Sequence, residues 1–153
     1  MTYHKTDKTF GSDIFSASAL KGKLGVNAIK SQKSLYDLVV VDSLGIEKDF
    51  VNELETRNEV IVYTKLPGGF YINTPAGYYN PDWAIVFKED TGIKHVYFIA
   101  ETKGYKDDEV LDYRNTEKVK IECAKRHFET ISNSTVKYDV VRNYEDLWNV
   151  ITK

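Results

Sequence analysis

Apolar residues along the chain follow two periods, and the changes between them mark the elements. LYDLVVVDS (35–43) contains a short β-branched run whose length and composition predict a buried strand. In SLGIEKDFVNELETRN, Ile46, Phe50, Val51 and Leu54 recur at helical spacing, with Ser43 as the expected N-cap and Glu47 in the first turns. EVIVYTKL (59–66) predicts a strand, closed by the turn signal Pro67-Gly68-Gly69. FYINTPAGYYN reads as a turn-rich segment. PDWAIVFK (81–88) is a strand headed by a proline, where a missing N–H is tolerated. EDTG is a tight turn, KHVYFIAETK the next strand, and YKDDE an acidic turn. A helix follows from about Asp112 to Ile131, with Ile121, Ala124, Phe128 and Ile131 on one stripe. TVKYDVVR (135–142) is a final strand and YEDLWNVITK a short terminal helix. Residues 1–36 show no sustained period and read as irregular or short-stranded, with Lys21, Lys23, Lys30 and Lys33 among Gly, Ser and Asn. From residue 45 the order is helix, three strands, helix, strand, which is an α/β domain.

Composition narrows this further. At 153 residues the chain suffices for one domain with a genuine core, and not for two of ordinary size. No apolar run approaches the ~20 residues of a membrane span, and MTYHKTDKTF lacks a signal-peptide core. One cysteine excludes an internal disulfide framework. These features predict a soluble, cytoplasmic chain. The net charge of −2 bears on partners, because proteins that grip nucleic acid unaided usually carry a basic surplus. Contact with DNA would be weak, or would need help.

Three charged residues fall where chemistry can use them. The strands of 82–101 turn through Glu89 to Gly92, so they should pair antiparallel. Asp82 opens the first strand and Glu101 closes the second, so both lie at one end of the pair. Lys103 follows two positions on, sharing a strand face with Glu101, Tyr97 and Ile99. Two facing carboxylates repel unless a cation sits between them, and hard divalent ions are held by carboxylates, phosphate oxygens and water. A lysine beside such an ion can orient an attacking water or stabilise charge building on phosphorus. The constellation suits metal-assisted phosphodiester hydrolysis. The plain alternative is an ordinary strand end reaching water.

Other motifs carry less. Cys123 and His127 stand four apart on a helix, a zinc-compatible spacing, but zinc takes four ligands and only His4 and His95 remain of the histidines. A packed cysteine and a hydrogen-bonded histidine are the expectation. Phe70, Tyr71, Tyr78, Tyr79 and Trp83 either pack a loop over the core, the favoured reading, or stack on bases. No GxxxxGK[ST] occurs, so no nucleotide is expected on a P-loop.

Pro81-Asp82 followed by Glu101-Thr102-Lys103 resembles the PD-(D/E)xK nuclease signature, on the αβββαβ core that superfamily uses. The wider text, LYDLVVVDS, IEKDFVNELE, YTKLP, TPAGYYNPDWAIV, YFIAETKG and RNTEKVKIECAKRHF, resembles the C-terminal endonuclease domain of type III restriction (Res) subunits. The likeness runs over roughly residues 35–130. It implies a restriction-endonuclease-like α/β fold with a mixed central sheet flanked by helices. It also implies Asp82 and Glu101 as metal ligands, helped by the Thr102 carbonyl, and Lys103 as the catalytic lysine. Many members complete the site with a glutamate on the helix before the first core strand. Glu47 is the choice here, its plain alternative being a solvated helix residue; Glu53 and Glu55 lie late in that helix. On the helix after the motif, Arg114 and Lys120 are implied as DNA contacts, and Glu117 belongs to the same pattern; ordinary helix charges are the alternative.

The implied activity is Mg²⁺-dependent cleavage of double-stranded DNA, with Mn²⁺ able to substitute. Type III Res subunits join this domain to a helicase-type ATPase and act with a Mod methyltransferase. ATP and S-adenosylmethionine belong to those parts. The chain is accordingly expected to be a single prokaryotic nuclease domain (core 45–142, extension 1–34) excised from a longer polypeptide, with Met1 an introduced start. Two rivals stand beside it: a free-standing repair or resolvase nuclease, and a non-catalytic docking module. The −2 charge argues against the first, and the presence of all three motif residues against the second.

Overall fold

The structure, a computed structural model, describes residues 4, 11, 28–36, 38–41, 45–88, 94–101, 111–131 and 136–152; at 46, 94–101, 111–115 and 131 it describes the backbone alone. Its central sheet has the strands β3 (Val60–Lys65), β6 (Trp83–Lys88), β7 (Lys94–Glu101) and β8 (Val136–Val141), in that spatial order. β3, β6 and β7 pair antiparallel, while β8 lies parallel to β7 after the crossover helix α2 (Leu111–Ile131). A parallel neighbour requires such a crossover, and its apolar stripe is what packs the helix onto the sheet. With α1 (Ile46–Thr56) before β3, the expected αβββαβ order is present.

Two short ladders accompany the core. β1 (Ala28–Lys30) pairs antiparallel with β2 (Leu38–Val40) in a sheet of its own. Of the buried strand expected within 35–43, β2 takes up three residues, with Val39 and the adjoining Val41 buried and Leu38 37% exposed. The segment read as turn-rich is a hairpin, β4 (Ile72–Thr74) with β5 (Gly77–Tyr79), inserted between β3 and β6. Its turn needs Gly77 at φ 111°, a conformation that L side chains rarely adopt. The N-cap position of α1 is Gly45, which makes no side-chain capping bond; the expected cap Ser43 lies outside the described residues. The turns expected at 89–92 and 105–109 also lie outside them.

Each sheet face has its own core. On one, Phe50, Val51 and Leu54 of α1 and Tyr144 and Leu147 of α3 (Tyr144–Ile151) bury against Tyr63, Trp83, Ile85, Phe87 and Val141. Burying one large apolar side chain stabilises by about 1.5–3 kcal/mol, so this cluster dominates the fold. Asn143 caps α3 by accepting from the Asp146 amide at 2.9 Å, and Tyr144 Oη donates to Glu59 at 2.6 Å. On the other face, Ala124 and Phe128 of α2 pack with Ile72 and Tyr79 of the hairpin, joined by Tyr138. The hairpin thus fills in beside α2, where four strands and one helix leave apolar surface to cover. Among the described residues no helix is long and apolar enough to cross a membrane.

Candidate functional site

Sheet register brings the candidate residues to one end. Lys65 pairs with Trp83, Trp83 with Ile99, and Ile99 with Asp139, so one row crosses all four strands. In the row beyond, Leu66 N–H donates to the Asp82 carbonyl at 2.7 Å and Ala100 pairs with Val140. One step further Glu101 pairs with Val141, whose side chain is buried on the α1 face. Asp82 and Glu101 therefore sit at the same edge of adjacent strands, as the motif spacing requires. Thr102 and Lys103 lie outside the described residues, as do the side chains of Glu101 and Arg114.

Glu47 departs from the solvated alternative. It is 2% exposed, and Lys65 Nζ donates to both its carboxylate oxygens at 3.2 Å. A buried carboxylate at that position is tolerable only with charge-assisted partners. The same ammonium stands 5.9 Å from the centroid of the fully buried Trp83 ring. Trp83 Nε1 meets no acceptor among the described residues, and a buried donor left so costs about 1–3 kcal/mol unless a solvent or ligand oxygen reaches it. Lys65 escaped sequence reasoning, yet a signal exists. In EVIVYTKL it shares the strand face of Tyr63, an apolar face that closes on a charge as β7 does with Glu101.

Asp82 is half-buried and communicates with the α2 side. Burial first, then Tyr138 and the charges of Asp82 and Glu117, push the Tyr79 phenol well above its ordinary range. Tyr138 is raised mainly by burial, with Asp139, Glu117 and Asp82 adding to it against a hydrogen bond from Tyr79. The two phenol oxygens lie 2.8 Å apart. Both tyrosines stay protonated at neutral pH and brace the hairpin that leads into Asp82. Asn80 completes the brace, donating to the Pro67 and Phe70 carbonyls at 3.0 and 2.6 Å.

Around this edge the aromatics divide. Trp83 and Tyr79 are core, whereas Tyr71 and Tyr78 are 38% and 69% exposed, with ring centroids 4.6 Å apart. Lys120 is half-buried and reaches the hairpin: a Cβ built on Gly77 would meet its Nζ at 3.9 Å. Cys123 is buried, and His127 presents its ring edge-on to Phe128, its pKa lowered by burial.

Comparison with known families decides what this edge belongs to. A family model described as an endonuclease domain matches residues 32–144. The chain belongs to the endonuclease-domain family. Glu47, Lys65, Asp82, Glu101 and Lys103 all fall inside the matched segment of this nuclease domain, which ends at the first residue of α3. Searches among curated proteins and among solved structures return no match. Asp82 and Glu101 are carboxylates at the ends of neighbouring strands, a donor type that fits a hard divalent ion.

Proposed function

We propose that this endonuclease domain hydrolyses phosphodiester bonds of double-stranded DNA with Mg²⁺, as the cutting part of a type III restriction enzyme. The observation that supports the reading is the position of Asp82 and Glu101 at the same end of adjacent strands, inside a chain of the endonuclease-domain family. Asp82, Glu101 and the Thr102 carbonyl would hold the ion, which Mn²⁺ can replace. When bound, it supplies Lewis acidity at the scissile phosphate. The chain's own residues do the rest. Lys103 orients the attacking water or offsets charge on the phosphate oxygens, and the tyrosine-braced hairpin keeps Asp82 in place.

DNA lies, in this reading, across the edge that carries Lys120, Arg114 and the exposed pair Tyr71 and Tyr78. The net charge of −2 fits a domain delivered to DNA by its neighbours. Those neighbours are the helicase-type ATPase of the same Res polypeptide and the Mod methyltransferase, in a prokaryotic cytoplasm. Nicking of supercoiled plasmid with Mg²⁺ or Mn²⁺ tests the chemistry. Asp82→Asn, Glu101→Gln and Lys103→Met should each abolish nicking with the circular-dichroism spectrum unchanged; retained nicking in any of them would refute the assignment of that residue. Joined to the ATPase and Mod, cleavage should become dependent on ATP, and ATP-independent cutting there would count against the type III setting.

A further inference from the structure

The β4–β5 hairpin has two unlike faces. Alternation puts Ile72 and Tyr79 on the inner one, buried against α2, and Tyr71, Asn73, Tyr78 and Asn80 on the outer one, all exposed. Tyr78 is 69% exposed, and its ring centroid lies 4.6 Å from that of Tyr71 at a tilt of 52°. We propose that this outer face is a stacking platform for an unpaired base of the DNA, held beside the cut, so that the domain favours DNA carrying unpaired nucleotides over intact duplex. The position of the cut rests on the nuclease reading above.

Paired bases hide their faces in the duplex stack, so an aromatic side chain reaches one only where a base is unpaired or turned out. The net charge of −2 gives little overall attraction to phosphate, and stacking is a source of affinity that needs no basic surplus. Local charge still suits a nucleotide. The Lys120 ammonium lies at the hairpin tip, where a Cβ built on Gly77 would meet its Cε at 3.8 Å and its Nζ at 3.9 Å, and it offers a cation to the phosphate of a stacked base. The platform is also pre-set, which lowers the ordering cost of binding. Thr74 Oγ1 donates to the Gly77 carbonyl at 2.6 Å and accepts from the Ala76 amide at 3.2 Å, while the phenol pair of Tyr79 and Tyr138 fixes the inner face. Tyr78 precedes Asp82 by four positions, so the chain allows at most about 14 Å between them, or about four stacked nucleotides at ~3.4 Å each. A base on Tyr78 therefore belongs to the stretch of DNA whose phosphate meets Asp82.

The test is fluorescence anisotropy with the 153-residue chain carrying Asp82→Asn, which leaves DNA uncut, on two labelled DNAs: a fully paired duplex, and the same duplex with an internal run of unpaired thymines. The interrupted duplex should bind about tenfold tighter. Tyr78→Ala should remove that gain, with a much smaller effect on the paired duplex, and Tyr78→Phe, which keeps the ring, should retain it. Lys120→Met should weaken both DNAs alike and flatten their salt dependence, because a phosphate contact does not distinguish paired from unpaired bases. Equal affinity for the two DNAs, a preference that survives Tyr78→Ala, or no measurable binding to either would overturn the proposal. So would a dimer in sedimentation that Tyr78→Ala dissolves with DNA affinities unchanged, which would assign the face to self-association. Plasmid nicking separates the two readings. Nicking by the wild-type chain without a preference for unpaired bases defeats this inference alone. A preference that depends on Tyr78, in a chain that nicks with neither Mg²⁺ nor Mn²⁺, supports the platform and defeats the nuclease reading.

Discussion

Stability in the absence of metal offers an unequal pair of outcomes at Glu47 and Lys65. Lys65→Met removes the ammonium that donates to both Glu47 oxygens at 3.2 Å and keeps an unbranched apolar side chain of similar length. Taking one partner from a buried ion pair costs about 3–5 kcal/mol, because the remaining charge loses a charge-assisted partner without regaining water. The carboxylate side chain is 3% exposed, so this case applies to it, and we expect a loss of about 3 kcal/mol. Glu47→Gln leaves the Lys65 ammonium instead. At 20% exposure that group can turn toward solvent, and the expected loss is about 1 kcal/mol. At about 2–4 °C per kcal/mol for a domain of this size, the melting temperature should fall by about 6–12 °C in Lys65→Met and about 2–4 °C in Glu47→Gln. The double variant should resemble Glu47→Gln, with a coupling energy of about 3 kcal/mol between the sites. Thermal and urea unfolding followed by far-UV circular dichroism in a chelating buffer gives all four values. Equal losses in the two single variants, or strict additivity in the double, would refute the claim that a desolvated carboxylate is what Lys65 holds.

Three further outcomes follow from other parts of the molecule. At Glu55, burial raises the carboxyl, but hydrogen bonds from Ser31, Tyr63 and the Gln32 and Lys33 amides outweigh it and hold the group below its ordinary value of 4.5. A depressed folded value means stability that is present above about pH 4.5 and is lost as pH falls through the folded value. Glu55→Gln should therefore flatten the fall in urea midpoint between about pH 5 and about pH 3, and an unchanged slope would sink the assignment. Tyr79→Phe deletes one member of the 2.8 Å phenol pair and should cost about 1 kcal/mol in urea unfolding; a neutral result would show that water replaces the bond in full. Tyr78→Ala, at a side chain 69% exposed, should leave the melting temperature unchanged and weaken DNA binding by about 1–3 kcal/mol in fluorescence anisotropy on an Asp82→Asn background. Undiminished binding would remove the hairpin from the DNA surface.

Much of this architecture is written in local periods. Helical spacing of Phe50, Val51 and Leu54 predicts the face that α1 buries, and the runs at 59–66, 81–88 and 135–142 predict β3, β6 and β8 to within two residues at each end. Antiparallel pairing of β6 and β7 follows from the short gap between their runs, and with it the placement of Asp82 and Glu101 at the same end of the pair. These properties are legible because they depend on consecutive residues: a 3.6 or 2.0 period states which side of one element is apolar. The β4–β5 hairpin was not legible as strands. Each run is three residues long, too short for a period, and it is stable only because Ile72 and Tyr79 find α2, whose stripe lies far along the chain.

The candidate site divides in the same way. The residues of the PD-(D/E)xK pattern are visible as a spacing, whereas the environment of Glu47 is not. In sequence it is one of two acidic residues in the first turn of an amphipathic helix, and helix position alone allows solvent. Only the packing of α1 across the end of β3 buries it and brings Lys65 to both its oxygens. Sheet order likewise required the tertiary structure, because the row from Lys65 through Trp83 and Ile99 to Asp139 joins segments that no local period relates. Which elements form is a question of short-range pattern. Whether a charged side chain among them is solvated or held depends on its neighbours in space, through the desolvation and pairing that only the folded chain supplies.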